Sequence, residues 1–383
     1  MRTCSWNCLR YSVIVGLAFW SLPPGALSQE VRLMRLSPAN AVSDEAFSRI
    51  TSIRELRDGS LLVADQGDSR LVRLSLGVNT VTVIGRTGDG PAEFRTVGWL
   101  FRLPGDSTLF TDVYLSRWFI LVGGDIVETI PERLPLNRLL LSELAGVDSF
   151  GHVLGVRGSA FAGNVPRLRG NADSLVLLLA DRRAQLADTL GVLKGRGSHG
   201  YVREAAKGGQ MPRLIFGSPL ASEDQALLFQ DGWIAVARTE PYRVDWRTAE
   251  GRWYRGSPLP FQPVKVDDRE KCAATERFLG RQGPCASAGL PGWPAVVPPF
   301  LPPTIQGLLP SLLAMPDGRL AIARTPTTRS RSYQYDLIDR SGRLVGVLDL
   351  EKNERLIGFG VRSVYVIVTD DDGLQTIRRH PWP

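Results

Sequence analysis

The chain has 383 residues and carries 46 basic and 39 acidic side chains, which give it a formal net charge of +7. Nearly all of the basic residues are arginines, and they are scattered along the sequence. A nucleic-acid-binding protein would gather its positive charge into a patch or stripe, so the charge pattern excludes nucleic acid as a partner. No stretch after residue 28 is apolar over the roughly 20 residues of a membrane helix, which excludes a membrane span there.

Residues 1–28 have the pattern of a cleaved secretory signal peptide. Arg2 and Arg10 form a basic head, residues 11–22 are apolar, and Ala26 and Ser28 are the small residues expected before a cleavage site. The apolar stretch is too short for a membrane helix, which needs about 20 residues. We therefore predict that residues 29–383 are exported and that the protein is secreted or periplasmic.

A six-residue apolar segment that ends in a charged residue recurs six times in residues 29–383. The copies are SLLVAD, STLFTD, HVLGVR, WIAVAR, RLAIAR and YVIVTD, and they end at Asp65, Asp112, Arg157, Arg238, Arg324 and Asp370. These ends are 47, 45, 81, 86 and 46 residues apart. Three intervals match the roughly 40 to 50 residues of one propeller blade, and the other two contain insertions. The sequence therefore predicts a single all-β domain, a six-bladed β-propeller of four-stranded antiparallel blades.

The beginning and the end of this domain are predicted to pair. Residues 31–36, VRLMRL, alternate apolar and basic side chains, as a half-exposed strand does. The sixth copy is followed by one further strand, at residues 374–379, and the last blade then lacks its outer strand. We predict that the N-terminal strand, residues 31–36, completes the last blade and removes the open sheet edge.

Two insertions interrupt the propeller, at about residues 195–215 and 266–303. The first is glycine-rich and polar, and the second ends in PGWPAVVPPFLPP, whose prolines exclude regular helix or central strand from that stretch. The second insertion also holds Cys272 and Cys285. In an exported protein such a pair predicts a disulfide; a zinc site is the alternative, although no histidine lies nearby.

Blade one carries a family resemblance. Its segment VADQGDSRLVRL resembles the NHL-type repeat, with Asp65 and Arg70 at the matching positions and Asp68 where that repeat usually has asparagine. The following segment, GRTGDGPAEF, is similar to the Gly-Pro-Gly-Glu-Phe crossing of exported bacterial six-bladed propellers of the NHL and TolB-like group, with Ala92 in place of a glycine. The resemblance implies ligand or protein binding more often than catalysis.

Local patterns supply no catalytic residue, cofactor or metal site. Residues 195–200, GRGSHG, fit G-x-G-x-x-G but lack the strand and helix that a dinucleotide site needs. Ser198 and His199 are neighbours without a third partner, which argues against a nucleophile and its base. The sequence DDDG at residues 370–373 favours a hairpin turn over a calcium loop.

The residues that end the six repeats form the candidate binding site. Asp370, Asp65 and Asp112 would be contiguous across blades six, one and two, and three arginines would follow across blades three to five. If all six face the mouth of the channel, the arginine half could hold a carboxylate or another anion by forked hydrogen bonds. The alternative is that each side chain caps a strand or pairs with a neighbouring blade.

These observations predict an exported binding or scaffold module and favour binding over catalysis. Its partner would be a protein, a peptide or a small anionic ligand. The alternative is a propeller hydrolase, lactonase or lyase that acts on an anionic or carbohydrate-derived substrate at the central channel. Such an enzyme needs a metal cage or a paired acid and base that converge there.

Overall fold

Six antiparallel sheets follow one another along the chain and form the blades of a six-bladed β-propeller, which confirms the predicted fold class. The structure, a computed structural model, describes residues 31–112, 114–115, 117–131, 144–158, 174–181, 187–196, 201–204, 213–216, 218–279, 290, 292–303 and 309–382. The signal peptide predicted at residues 1–28 lies outside this range. Within it, no helix is long and apolar enough to cross a bilayer.

The first three blades each have four strands in sequence order. The strands of blade one are Ile50–Glu55, Leu61–Asp65, Arg70–Ser75 and Thr80–Ile84. Those of blade two are Leu100–Arg102, Ser107–Asp112, Arg117–Val122 and Asp125–Pro131. Those of blade three are Leu144–Val147, His152–Gly158, Ser174–Asp181 and Ala187–Lys194.

The last three blades repeat the pattern, with N-terminal strands added to blades five and six. The strands of blade four are Gln225–Leu228, Ile234–Thr239, Tyr242–Arg247 and Trp253–Tyr254. Those of blade five are Leu312–Ala314, Leu320–Ala323, Tyr333–Ile338, Leu344–Leu350 and Leu33–Met34. Those of blade six are Glu354–Phe359, Ser363–Thr369, Gln375–Pro381 and Ala41–Val42.

An N-terminal strand does complete the last blade, but the segment predicted for this role is wrong. Ala41–Val42 pairs antiparallel with the final strand of blade six. The predicted segment, residues 31–36, contributes Leu33–Met34, which pairs in parallel with the outer strand of blade five. Ser37 and Pro38 separate the two short strands, and Met34 packs against the core between blades five and six. The alternation of VRLMRL therefore predicted a strand correctly, but it carried no information about which sheet edge that strand would join.

The hydrophobic core lies between neighbouring blades, and this explains why the second strands are apolar on both faces. In blade one, Leu61 and Val63 pack toward blade six, whereas Leu62 and Ala64 pack toward blade two. Successive side chains of a strand point to opposite faces, so a strand buried on both sides has a continuous apolar run. Between blades one and two the core includes the stacked rings of Phe110 and Phe119, whose centroids are 4.6 Å apart.

Two additions lie between blades. The strands Tyr201–Glu204 and Arg213–Phe216 form a hairpin between blades three and four. Helix α1, Asp268–Leu279, follows blade four and was not predicted from the sequence. The sequence at its start nevertheless contains an N-cap residue, Asp267, whose carboxylate accepts a hydrogen bond from the backbone N–H of Glu270.

One cysteine of the predicted disulfide lies outside the described residues. Cys272 lies in α1, but Cys285 lies outside the described residues, so the bridge stays a prediction. The proline-rich stretch is described from residue 292 to residue 303, and this part contains neither helix nor strand. An isolated antiparallel β-bridge joins Val296 in this stretch to Lys265.

Candidate functional site

The first strand of every blade lines a central channel that has two distinguishable mouths. Each first strand begins beside the end of the second strand, as the pairing of Ile50 with Asp65 shows in blade one. We call this end of the channel the upper mouth, and the opposite end, where turns join the first strands to the second, the lower mouth. A cavity of about 240 Å³ lies in the channel, between residues 51–53 of blade one and residues 225–227 of blade four.

The channel cavity is mainly apolar. Among its described lining residues the one carboxylate is that of Asp224. Its oxygens accept hydrogen bonds from the backbone N–H of Thr239 at 2.9 Å, from the backbone N–H of Lys194 at 3.0 Å and from Nη1 of Arg238 at 3.0 Å. This carboxylate is therefore held as a structural acceptor, and it faces no second acid in the described lining.

The acids of the predicted ring have partners inside the protein. Asp65 is fully buried and accepts hydrogen bonds from the backbone N–H of Arg49 at 2.9 Å and from Nε of Arg70 at 3.1 Å. Asp112 is also buried, and it accepts from the backbone N–H of Arg95 at 2.6 Å and from three further donors in the turns around it. Asp370 is exposed and accepts two backbone N–H groups of its own turn.

The described arginines of the ring are paired as well. Arg238 donates to Asp224 and, at 3.1 Å, to Asp245. Arg324 donates from Nε to Asp336 at 2.8 Å. The side chain of Arg157 lies outside what the structure describes. A ligand-binding role for the ring as a whole stays a prediction, whereas one member, Arg324, lines a separate cavity.

This cavity, which we call the blade-five cavity, has a volume of about 590 Å³ and lies on the side of the upper mouth. Its walls come from three segments: the connection between the second and third strands of blade five with the start of the third strand (residues 324–334), the chain that leaves blade four (residues 260–264), and the proline-rich segment (residues 297–299). The sequence did not predict it, because its walls come from segments that are distant in the chain and do not repeat.

The floor of the blade-five cavity is a buried hydrogen-bonded group. The hydroxyl of Tyr242 donates to Asp336 at 2.7 Å, and Arg324 donates to the other oxygen of the same carboxylate. Burial and the neighbouring Asp336 carboxylate raise the pKa of Tyr242 well above its ordinary value, so the hydroxyl keeps its proton and remains a donor. The charge of Asp336 is therefore compensated by Arg324.

The rim of the cavity carries two further cations. Arg329 and Arg331 are exposed, and within the described chain neither guanidinium has an ion-pair or hydrogen-bond partner. Among the described residues that line the cavity, the ionised groups are three arginines and one carboxylate, which sum to a charge of 3 − 1 = +2. A positive cavity with two unpaired guanidinium groups at its rim is suited to an anion.

Part of the remaining wall consists of aromatic and proline side chains. The rings of Tyr242 and Phe261 meet edge to face with centroids 6.2 Å apart. Pro260, Pro298 and Pro299 stand beside them. These side chains offer contact surface to the carbon skeleton of a ligand, whereas the arginines offer hydrogen bonds to its charged group.

Helix α1 holds one wall of the cavity in place. The carboxylate of Glu270, which is buried, accepts hydrogen bonds from the backbone N–H of Thr328 at 3.0 Å and from its hydroxyl at 2.5 Å. Nη1 of Arg277 donates to the carbonyl of Pro326 at 2.8 Å. The turn that carries Arg329 is thus fixed to the helix at two points.

The described part of the chain contains no preformed metal site. No group of three or more histidine, cysteine, aspartate or glutamate side chains there is arranged to hold a metal ion. His152 bonds through Nδ1 to Asp148 at 2.7 Å, and His380 bonds through Nδ1 to the carbonyl of Ser37 at 2.7 Å. His199 lies outside the described residues.

Comparison with known proteins finds solved structures that are similar to this chain over most of its length. No protein-family model and no curated protein matches the chain. Among solved structures, regucalcin from Agrobacterium tumefaciens, a calcium-binding protein, is 12% identical over 92% of this chain and 97% of its own, with a TM-score of 0.35. Virginiamycin B lyase from Staphylococcus aureus is 8% identical over 90% and 99%, with a TM-score of 0.42. The luciferin-regenerating enzyme is 11% identical over 88% and 92%, with a TM-score of 0.42. Similarities at this level say nothing about a site or an activity.

Proposed function

We propose that this propeller is a binding module for a small organic anion, which it takes up in the blade-five cavity. The observation that carries the proposal is the pair Arg329 and Arg331 at the rim, unpaired within the described chain. The floor below them carries the carboxylate of Asp336, whose charge Arg324 already compensates. An incoming carboxylate would supply the partner that these guanidinium groups lack, in the forked geometry that arginine favours.

The size and the walls of the cavity support a small molecule as the ligand. Pockets for small molecules typically have volumes of about 300–1,000 Å³, and the blade-five cavity has about 590 Å³. Its proline and aromatic walls suit a ring or a branched carbon skeleton. The ligand that fits both parts is an organic acid with an apolar body, such as an aromatic or alicyclic carboxylate.

The alternative function, an enzyme that acts at the central channel, has less support from the geometry. Such an enzyme needs an acid and a base that converge on its substrate. The described lining of the channel offers the single carboxylate of Asp224, whose oxygens are bonded to Thr239, Lys194 and Arg238. The described lining of the blade-five cavity likewise contains one carboxylate, that of Asp336, which accepts hydrogen bonds from Arg324 and Tyr242.

The proposal places the protein outside the cytoplasm, secreted or periplasmic, and among the exported propellers of the NHL and TolB-like group. It rests on the signal-like residues 1–28, on the repeat in blade one and on the glycine-rich crossing that follows that repeat. It also includes a disulfide between Cys272 and Cys285, which would tie α1 to the chain that follows it.

Ligand-detected NMR with a set of aromatic and alicyclic carboxylates, each paired with its primary amide, tests the binding proposal. We expect at least one carboxylate to bind and its amide not to bind. Calorimetry should then show that the double variant Arg329→Gln, Arg331→Gln binds that carboxylate about tenfold or more weakly, because two charged hydrogen-bond donors are lost.

The matched control is Arg252→Gln, which removes an exposed arginine in blade four that does not line the cavity. Its affinity should equal that of the wild type. The proposal is wrong if no carboxylate binds, if the amides bind as tightly as the acids, or if the control loses as much affinity as the double variant.

A further inference from the structure

A second, smaller cavity lies at the lower mouth of the channel, on the opposite side of the propeller from the blade-five cavity. It has a volume of about 150 Å³ and is formed where the turns after the first strands of blades six, one and two meet. We call it the lower cavity. Its charged lining residues are Arg54, Glu55, Arg57, Arg102 and Asp106.

The buried member of this group has an unused donor. Arg54 is 7% exposed, and its two Nη atoms donate to blade two: Nη1 to the carbonyl of Ser107 and to the hydroxyl of Thr108, and Nη2 to the carbonyl of Gly105 at 3.2 Å. Its Nε is buried and has no hydrogen-bond partner in the described structure. A buried N–H without a partner is costly, so a ligand that accepted this hydrogen bond would be favoured.

The other two arginines are available to a ligand. Arg57 and Arg102 are exposed, and within the described residues neither guanidinium has a hydrogen-bond or ion-pair partner. Burial and repulsion from Arg102 and Arg57, which Asp106 opposes only in part, lower the pKa of Arg54 to about 10. Arg57 and Arg102 therefore each lie close enough to act on the charge of Arg54.

The two carboxylates beside them accept hydrogen bonds from backbone and hydroxyl groups. One oxygen of Glu55 accepts the backbone N–H of Val361 at 2.8 Å, and the other accepts the hydroxyl of Tyr365 at 2.8 Å. Asp106 accepts the backbone N–H of Arg57 at 2.9 Å. The described part of the lining, with three arginines and two carboxylates, has a net charge of 3 − 2 = +1.

We infer that the lower cavity is a binding site for a tetrahedral oxyanion, either inorganic phosphate or the terminal phosphate of a small ester. Three guanidinium groups from two blades surround a space that is too small for a larger organic acid but suits a compact ion with several acceptor oxygens. Such an ion would accept the free N–H of Arg54, pair with Arg57 and Arg102, and reduce the repulsion among the three cations. This site is independent of the binding function proposed for the blade-five cavity.

The test is calorimetric titration of the exported chain with inorganic phosphate, with chloride at equal ionic strength as the reference. The informative variant is the double substitution Arg57→Gln, Arg102→Gln, because both side chains are exposed and their loss leaves the core intact. It should bind phosphate about tenfold or more weakly than the wild type. The matched control Arg252→Gln should bind phosphate as the wild type does. The double variant Arg329→Gln, Arg331→Gln should still bind phosphate at the lower cavity, which separates this site from the blade-five cavity.

A parallel titration with glycerol 2-phosphate distinguishes the two sources of the same chemistry. Binding of the ester as tightly as the free ion supports a phosphorylated ligand whose body lies outside the cavity. Binding of phosphate alone supports a free-ion site. The inference is overturned if phosphate has no more effect than chloride, if the Arg57 and Arg102 substitutions leave phosphate affinity unchanged, or if the Arg329 and Arg331 substitutions abolish it.

Discussion

Asp65 and Asp370 occupy the same position of the sequence repeat, yet the structure gives them very different contributions to stability. Asp65 is fully buried, and its carboxylate accepts the backbone N–H of Arg49 and the Nε of Arg70. The substitution Asp65→Ala would remove the acceptor of the Arg49 backbone N–H, which lies at a part-buried turn, at about 1 kcal/mol, and would break a charged hydrogen bond worth about 1.5–3 kcal/mol. Arg70 keeps Glu45 as a partner, so we expect a total loss of about 3–4 kcal/mol in the free energy of unfolding.

Asp370→Ala should cost about 1 kcal/mol or less, because its carboxylate is exposed and water can replace it as an acceptor. A second control is Asp68→Ala in the turn next to Asp65: the side chain of Asp68 is 48% exposed and lies 3.6 Å from Arg70. Urea unfolding followed by tryptophan fluorescence measures the three variants against the wild type. Our interpretation is refuted if Asp65→Ala costs less than about 1 kcal/mol, or if Asp370→Ala costs as much as Asp65→Ala.

Two further predictions concern acid stability and the support of the cavity wall. Burial alone would raise the pKa of Asp245, but hydrogen bonds from Arg243 and Arg238 outweigh it and lower the pKa below its ordinary value. The unfolded chain therefore takes up this proton at a higher pH than the folded one, so the carboxylate stabilises the fold above about pH 4 and the stabilisation is lost on further acidification. Thermal unfolding between neutral pH and pH 3 measures this effect. The difference in Tm between the wild type and Asp245→Asn should become smaller as the pH falls; a difference that stays constant or grows contradicts the prediction. Glu270→Ala should weaken carboxylate binding about two- to tenfold in calorimetry, because the turn at Thr328 must then be ordered by the ligand. Asp268→Ala, on the same helix with a side chain 88% exposed, should bind as the wild type does, and equal losses in both variants would contradict the role of Glu270.

The fold could be predicted because every second strand obeys the same physical constraint. A strand buried between two blades needs apolar side chains on both faces, so runs such as SLLVAD recur at blade-length intervals. The partner of the N-terminal segment could not be predicted in the same way. Alternation fixes which face of a strand is buried, but it does not identify the pairing partner. Leu33–Met34 and Ala41–Val42 pair with different sheets, and their partners lie more than 300 residues away in the sequence.

Helix α1 was not predicted, because the prediction for the second insertion was based on its prolines, which follow the helix and exclude regular structure only in their own stretch. The spacing of Asp267 and Glu270 is that of an N-cap residue and the third residue of a helix, and this was the available signal.

The candidate sites were only partly accessible from the sequence. Arg324 was identified from its place in the repeat, but its partner Asp336 lies on the next strand and Tyr242 in another blade. Arg54 and Arg102 meet because the first strands of blades one and two are neighbours in the ring. Such groups depend on which turns the closed ring brings together, and neither composition nor the repeat encodes that directly.

The most direct test of the central claim is a crystal structure of the protein with the tightest-binding carboxylate. We predict that the carboxylate group lies within hydrogen-bond distance of the guanidinium of Arg329 or Arg331. The carbon skeleton should lie in the blade-five cavity, against Tyr242 and Pro298. A ligand found in the central channel, or held without contact to either arginine, would contradict the proposed function.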